Sequence, residues 1–445
     1  MRRIILSILL ITVLLPTFAQ KAWTLEECIN YAVEQNLDLK KKDLQRQNSE
    51  ITLHTSKMSR LPDLNAGLGQ SFGFGRSKNR DGVLADRNSA SSSFNANISA
   101  PIFTGLRISN EIAANKLALK AITEELNQAK QDLGIRITNL FLQILFNKEL
   151  VKISEQQLAL SKEQLDKTEL LVKAGKSPES ELYESRSVYA SNEQSLVEAR
   201  NAYMLSQLDL AQALEIDDTN SFVVQDPLIE ESLLSGEALL TEKNSIYETA
   251  LQNRASVKAA KYRIEESRKN VNISKSAYMP TLSFGANYSN GYYHNYGKEN
   301  AQYNSSFSDQ LKANNSYGLG VNLNIPIFNR FATRDRVKSA KINVVLQEIN
   351  LIQAQKDLRK EVEQAYYNAV ASNEKFKAAE KSLEAAQVAY QYMQQRYDAG
   401  KATAFEFGEL KNRIGKSEAQ LAQAKYEFIL RCKILDFYMG KPIQL

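Results

Sequence analysis

The sequence predicts a mixed α and β protein in which strands of a membrane β-barrel alternate with long antiparallel helical hairpins. Three observations predict it. Four segments of roughly ten residues alternate apolar with small or polar side chains. Two far longer segments carry apolar residues at every seventh position. The second half of the chain copies the first at an offset of 225 residues. A period of two puts one face of a strand against apolar surroundings, and a period of seven does the same for a packed helix.

The first element is a targeting signal. Arg2 and Arg3 precede an apolar run from Ile4 to Leu15, then Pro16-Thr17-Phe18-Ala19. This reads as a secretory signal peptide over residues 1–19. A membrane anchor competes with it, but the run is shorter than the roughly 20 residues that cross a bilayer as a helix. Cleavage removes two arginines and takes the formal charge from +5 to +3, which gives no argument for nucleic-acid binding. No later segment is long and apolar enough for a membrane helix. The mature chain is therefore secreted, periplasmic, or held in a membrane by strands. Cys28 and Cys432 then meet an oxidising compartment, where they either pair or stay as buried thiols.

Duplication sets the domain boundaries. Pro101-Ile102-Phe103 returns as Pro326-Ile327-Phe328, Asp132-Leu133 as Asp357-Leu358, and Ala174-Gly175-Lys176 as Ala399-Gly400-Lys401. Upstream the offset is 218, pairing Ala32 with Ala250 and Pro62 with Pro280, so one length change between residues 67 and 101 suffices. Residues 20–220 form the first repeat and 242–445 the second. Between them, 221–241 reads as a linker.

Each repeat runs through the same order. Residues 26–60 lack Pro and Gly and read as one helix, ended at Leu61-Pro62. Strands follow at about 63–75 and 91–101, then at about 281–293 and 316–326 in the second repeat. Leu282, Phe284, Ala286 and Tyr288, for example, alternate with Ser283, Gly285, Asn287 and Ser289. Helices then run from about 105 to 173 and from about 330 to 398, each roughly 100 Å long at ~1.5 Å per residue. The apolar ladder Ile137, Ile144, Val151, Leu158, Leu165 and Val172 has the repeat partners Val362, Ala369, Phe376, Leu383, Tyr390 and Tyr397. The chain reverses at tips near 175 and 400 and returns along Leu182, Tyr189, Leu196, Tyr203 and Leu210, and along Phe407, Ile414, Leu421, Phe428 and Leu435. Leu158, Leu196, Leu383 and Leu421 are expected in buried seams.

Four strands cannot close a membrane barrel, since the smallest known have about eight. Other chains must complete it. Two copies give eight strands and three give twelve.

At this point the chain resembles the TolC-type outer-membrane efflux family. The resemblance rests on Trp23-Thr24-Leu25-Glu26-Glu27-Cys28, the Leu61-Pro62 turn, both Pro-Ile-Phe strand exits and the Ala-Gly-Lys tips, and it spans the mature chain. It implies a homotrimer: one 12-stranded barrel in the outer membrane of a Gram-negative bacterium, continued by a periplasmic α-helical coiled-coil barrel. It implies a passive channel-tunnel exporting what an inner-membrane pump and a periplasmic adaptor deliver, with outer-membrane lipid around the strands. It places an equatorial region near 217–241 and the C-terminus. It also implies periplasmic gate acids at Glu406, Glu409 and Glu181, and adaptor contact around Gly175, Lys176, Arg396, Gly400 and Lys401. Leu171 stands where the second repeat has Arg396, a departure from the family's basic position in the first hairpin. Acids in the first turn of a helix also suit its dipole, whatever else they do.

No enzyme, cofactor or metal site is expected. Gly175-Lys176-Ser177 and Gly415-Lys416-Ser417 end like phosphate-binding loops, but the required earlier glycine is Leu170 or Leu410. His54 and His294 lie far apart, without clustered Cys or carboxylates. A coiled-coil cell-surface stalk or adhesin would explain the heptads but not the strands. An outer-membrane hydrolase would not need the heptads.

Overall fold

The computed structural model describes residues 22–78, 82, 84–86, 88–217, 222–227, 242–297 and 304–441. The expected signal peptide and most of the expected linker lie outside the described residues. In chain order the elements are β1 (Ala22–Trp23), α1 (Leu25–Gln35), α2 (Leu37–Met58), β2 (Asp63–Gly73), β3 (Arg76–Lys78), β4 (Leu84–Asp86), β5 (Asn88–Phe103), α3 (Arg107–Lys173) and α4 (Glu179–Ala213). Then come β6 (Val223–Val224), α5 (Lys243–Asn253), α6 (Ala255–Ser276), β7 (Thr281–Tyr296), α7 (Phe307–Ala313), β8 (Ser316–Asn324), α8 (Ala332–Asp398) and α9 (Ala404–Tyr438). The duplication holds to the residue in the long helices: α3 and α8 have 67 residues each, α4 and α9 have 35.

The single helix expected over 26–60 is two helices. Asn36 has ψ 126, outside the helical range, and its Oδ1 accepts from the N–H groups of Asp38 and Leu39, both at 3.1 Å. The asparagine side chain offers the next turn a cap, so the chain breaks without Gly or Pro. Arg254 breaks the second repeat at the matching place with the same ψ of 126.

Two compact units divide the chain, and each takes part of both repeats: residues 1–44, 124–258 and 353–445 in one, 45–123 and 259–352 in the other. The first unit is helical. Its core gathers Cys28, Ile137, Phe141, Ile144, Leu210, Leu214, Phe222 and Ile429. A short parallel pair, β1 with β6, lies beside it, with Trp23 packed on Tyr31 and Phe222. Thr24 caps α1 and exchanges hydrogen bonds with Glu27. The two cysteines do not pair. Cys28 belongs to the core above, while Cys432 packs with Phe376, Ala424 and Phe428; burial pushes both thiols up to about 12.

The expected seams are buried unevenly. Ile137, Ile144, Val362 and Leu196 are buried, whereas Leu158, Leu383 and Leu421 are half-buried within one chain. Along α3 the buried positions include Asn147, and past Ile153 toward the C-terminus they turn polar, as Ser161 and Thr168. Their side chains are satisfied by nearby groups, Asn147 by the Ala202 carbonyl at 3.0 Å and Thr168 by the Gln164 carbonyl at 2.9 Å.

The second unit contains an antiparallel sheet in the order β2-β5-β7-β8. One face carries Leu64, Leu68, Phe94, Ile98, Leu319 and Val321, all exposed. The other carries Ser, Gly and Asn, as in the opposed pairs Gly67–Asn95 and Asn287–Gly318. Among the described residues the outer edges of β2 and β8 have no strand partner. The inner strands β5 and β7 run 16 residues each, longer than expected. Where β7 outlasts β8, side-chain amides replace the missing strand. Gln310 accepts from the Tyr293 N–H and donates to its carbonyl, both at 2.8 Å, and Asn304 does the same for Asn295 at 2.8 and 2.7 Å. These bonds satisfy backbone groups that an open edge leaves exposed.

Candidate functional site: the hairpin tips

Both tips are built by the same backbone device. Gly175 and Gly400 are left-handed, with φ of 68° and 70°. At each, the glycine N–H donates back to Val172 or Tyr397, and the next lysine N–H donates to Leu171 or Arg396. This six-to-one and five-to-two pairing ends a helix by satisfying its last carbonyls, and glycine enters it without a Cβ penalty. Lys176 and Lys401 are exposed beyond the turn. Arg396 donates to the Lys401 carbonyl at 3.4 Å, a bond that Leu171 cannot make in the first repeat.

The three expected acids sit differently. Glu406 is third in α9 and turns back on Thr403: its Oε2 accepts from the Thr403 N–H at 2.9 Å and from the Thr403 hydroxyl at 3.1 Å. Those two bonds, with Arg396 adding a little, hold its carboxyl below the usual range. Glu181 has Pro178 rather than threonine at the helix start and accepts from the Ser177 hydroxyl instead. Glu409 is exposed and, among the described residues, has no hydrogen bond or ion pair within the chain. It lines a cavity with Glu184, Ser185, Asn192, Ser161 and Phe407.

Glu184 is the member that sequence reasoning missed. It is the repeat partner of Glu409, so the offset of 225 already pointed to it. The contacts joining α3 to α8 and α9 beside the tips were also missed. Gln164 Nε2 donates to the Tyr397 hydroxyl at 2.7 Å, Lys167 pairs with Asp398 at 3.2 Å, and Lys411 Nζ donates to the Leu160 carbonyl at 2.7 Å. Tyr397 and Tyr390 stack on Phe407 with centroids 4.8 and 5.3 Å away. Burial pushes the Lys411 ammonium down to about 8. The three polar contacts join residues more than 230 positions apart, which a periodicity cannot reveal.

The geometry provides two rigid turns, a set of carboxylates around them and ties between neighbouring helices. Among the described residues no group of His, Cys, Asp and Glu could hold a metal ion.

Comparison with known proteins places this arrangement. A family model described as "Outer membrane efflux protein" matches residues 28–215 and 246–441. The chain is 23% identical over 431 residues to "Outer membrane protein TolC" of Vibrio cholerae serotype O1, covering 95% of this chain and 92% of that protein. It is 22% identical over 341 residues to "Pyoverdine export outer membrane protein OpmQ" of Pseudomonas putida, covering 75% and 67%. Among solved structures, the outer membrane protein VceC of Vibrio cholerae superposes with a TM-score of 0.73 at 16% identity, over 94% of this chain and 96% of that one.

Proposed function

Because the chain belongs to the outer membrane efflux protein family, we propose that three copies close their strands into one barrel and join their helices into a tunnel. It is an outer-membrane export channel with its helical part in the periplasm. The observation that carries the assembly is the four-stranded sheet with an exposed apolar face and two unpaired edges. In lipid, such edges cost several kcal/mol for each unpaired backbone group, so each must meet a strand of a neighbouring chain. Three chains supply twelve strands, within the range of known membrane barrels. A coiled-coil stalk or adhesin has no use for such a sheet.

The chain is passive. A periplasmic adaptor and an inner-membrane pump deliver the cargo, and the tips at Gly175, Lys176, Arg396, Gly400 and Lys401 are the surface the adaptor grips. Glu406, Glu409 and Glu181 narrow the periplasmic entrance as carboxylate rings, which favour cations. Glu409 has the strongest claim, since its carboxylate is exposed and has no partner among the described residues while Glu406 is engaged by Thr403. Single-channel recording in planar bilayers tests the rings. Glu406→Gln with Glu409→Gln should weaken cation selectivity and block by multivalent cations, with the trimer intact. Unchanged ion selectivity in the double variant would place the constriction elsewhere and leave both acids as helix-start residues.

A further inference from the structure

The turn from β8 into α8 carries apolar and basic side chains that the export role leaves unused. On β8 the membrane face reads Tyr317, Leu319, Val321 and Leu323, every second residue. The series continues past the end of the strand through Ile325 and Ile327, and Phe328 and Phe331 join it. These four are 60%, 94%, 71% and 54% exposed. Cations follow at once: Arg330, Arg334, Arg336 and Lys338 are all exposed, against one acid, Asp335. Arg334 lies 3.2 Å from Asp335, and its guanidinium carbon is 4.3 Å from the centre of the Phe331 ring. Arg330, Arg336 and Lys338 have no acidic partner among the described residues.

The first repeat shows that the turn does not need this charge. Its matching residues are Gly105, Ser109, Glu111 and Ala113, and its one arginine there, Arg107, is paired with Glu111 at 2.7 Å. The backbone is nonetheless the same. Gly105 and Leu106 have φ of 62° and 67°, Arg330 and Phe331 of 57° and 63°. At 105 glycine is required, because a Cβ there would stand 2.6 Å from the Ser276 carbonyl oxygen. At 330 an arginine takes the same left-handed conformation at the usual steric cost of an L-residue. The apolar Ile102-Phe103 pair is present in the first repeat too, so what the second copy adds to a turn that forms without them is the cations and the ring of Phe331 in place of Leu106.

We propose that the turn from Ile325 to Lys338 is a binding collar for anionic phospholipid. Ile325, Ile327 and Phe328 lie among acyl chains, and Arg330, Arg334 and Arg336 take the headgroup phosphates. Guanidinium groups suit this task because their forked donors match a phosphate in two bonds. The stacking of Arg334 on Phe331 lets one side chain span the apolar and charged layers. The collar rests on the outer-membrane reading above. With the helices in the periplasm, the strand end that meets a helix faces the periplasmic leaflet, which is phospholipid.

The test uses the full-length mature protein reconstituted in phosphatidylcholine vesicles with and without phosphatidylglycerol. The quantity read is phosphatidylglycerol retained over phosphatidylcholine after re-extraction in mild detergent. Each cation near an anionic surface contributes roughly fivefold, so Arg330→Gln with Arg334→Gln and Arg336→Gln should weaken retention about a hundredfold. The matching lysine triple variant should keep most of it, and both should migrate as the wild-type oligomer does. Equal retention by the glutamine variant, or no preference for phosphatidylglycerol in a wild type that inserts and conducts, overturns the collar alone. A wild type that inserts in neither vesicle overturns the channel reading and the collar with it.

Discussion

Arg254 is buried beside the helix break that it forms, with its side chain 9% exposed. It pairs with Asp132 at 2.9 Å, donates to Gln131 at 3.1 Å and lies over the rings of Phe437 and Tyr438, 4.8 and 5.7 Å from their centres. A buried cation with one carboxylate and two aromatic faces is compensated, and removing it takes all of these contacts at once. Arg254→Leu should lower stability by about 2–4 kcal/mol, and Arg254→Lys by less, read from the thermal loss of helical circular dichroism. Glu406 makes a smaller, pH-dependent contribution. Its folded pKa lies below the ordinary carboxylate value because the Thr403 N–H and hydroxyl bind the ionised form, so its stabilisation is present above the ordinary value and lost as pH falls through the lower, folded one. The protection of the 404–407 amides, taken relative to their intrinsic exchange rate at each pH, should therefore fall in acid, and Thr403→Ala should lower it at neutral pH. Exchange at these amides that ignores both changes would leave the Thr403–Glu406 cap without effect.

The helical hairpins show how one period produces two kinds of seam. Near the core the ladder buries Ile137 and Ile144 completely, while toward the tip Ser161 and Thr168 are the buried residues and Leu158 is half-open. Leu196 is enclosed by its own chain at 7% exposure, whereas Leu383 is not. Leu196→Asp should thus cost about 3–5 kcal/mol before any assembly, because it buries an unpaired charge. Leu383→Asp should reach that cost only when neighbouring helices cover the position. Thermal melts at protein concentrations that hold or dissociate the oligomer separate the two, and an oligomer-independent cost at Leu383 would contradict this. Of the two halves of each hairpin, the heptads were legible because apolar spacing is local. The polar stripe through Ser161 and Thr168 was not, because short hydroxyl side chains bond to their own helix and look like surface residues in a sequence.

For the whole molecule the sheet decides the assembly. Four strands with an exposed apolar face have two ways to avoid water and unpaired edges, aggregation or closure with copies of themselves. The protein should fractionate with outer membranes and run as a trimer in mild detergent, falling to one chain only on heating. A water-soluble monomer with intact helical and strand signals would contradict closure. In the four-stranded sheet, Gln310 and Asn304 occupy the edge of β7 beyond β8, which leaves β2 and β8 as its free edges among the described residues.

Alternation in Leu282 to Ser289, the ladder from Ile137 to Val172 and the offset of 225 determined by themselves the four long strands, the long helical hairpins and where the tips fall, but not the short strands β1, β3, β4 and β6 or the helix α7. The first two are statements about near neighbours along the chain and the third matches one stretch of sequence against another, and a sequence records both directly. Glycine at 175 and 400 was legible for the same reason, since the left-handed turn is a local demand. Only the tertiary structure decided that Asn36 and Arg254 break their helices, that Cys28 and Cys432 lie in separate clusters, and that Glu184 shares a cavity with Glu409. It alone showed Gln164 bound to Tyr397 and Lys411 to Leu160. These depend on where side chains distant in sequence meet, and packing selects those meetings from many that the same periodicity allows.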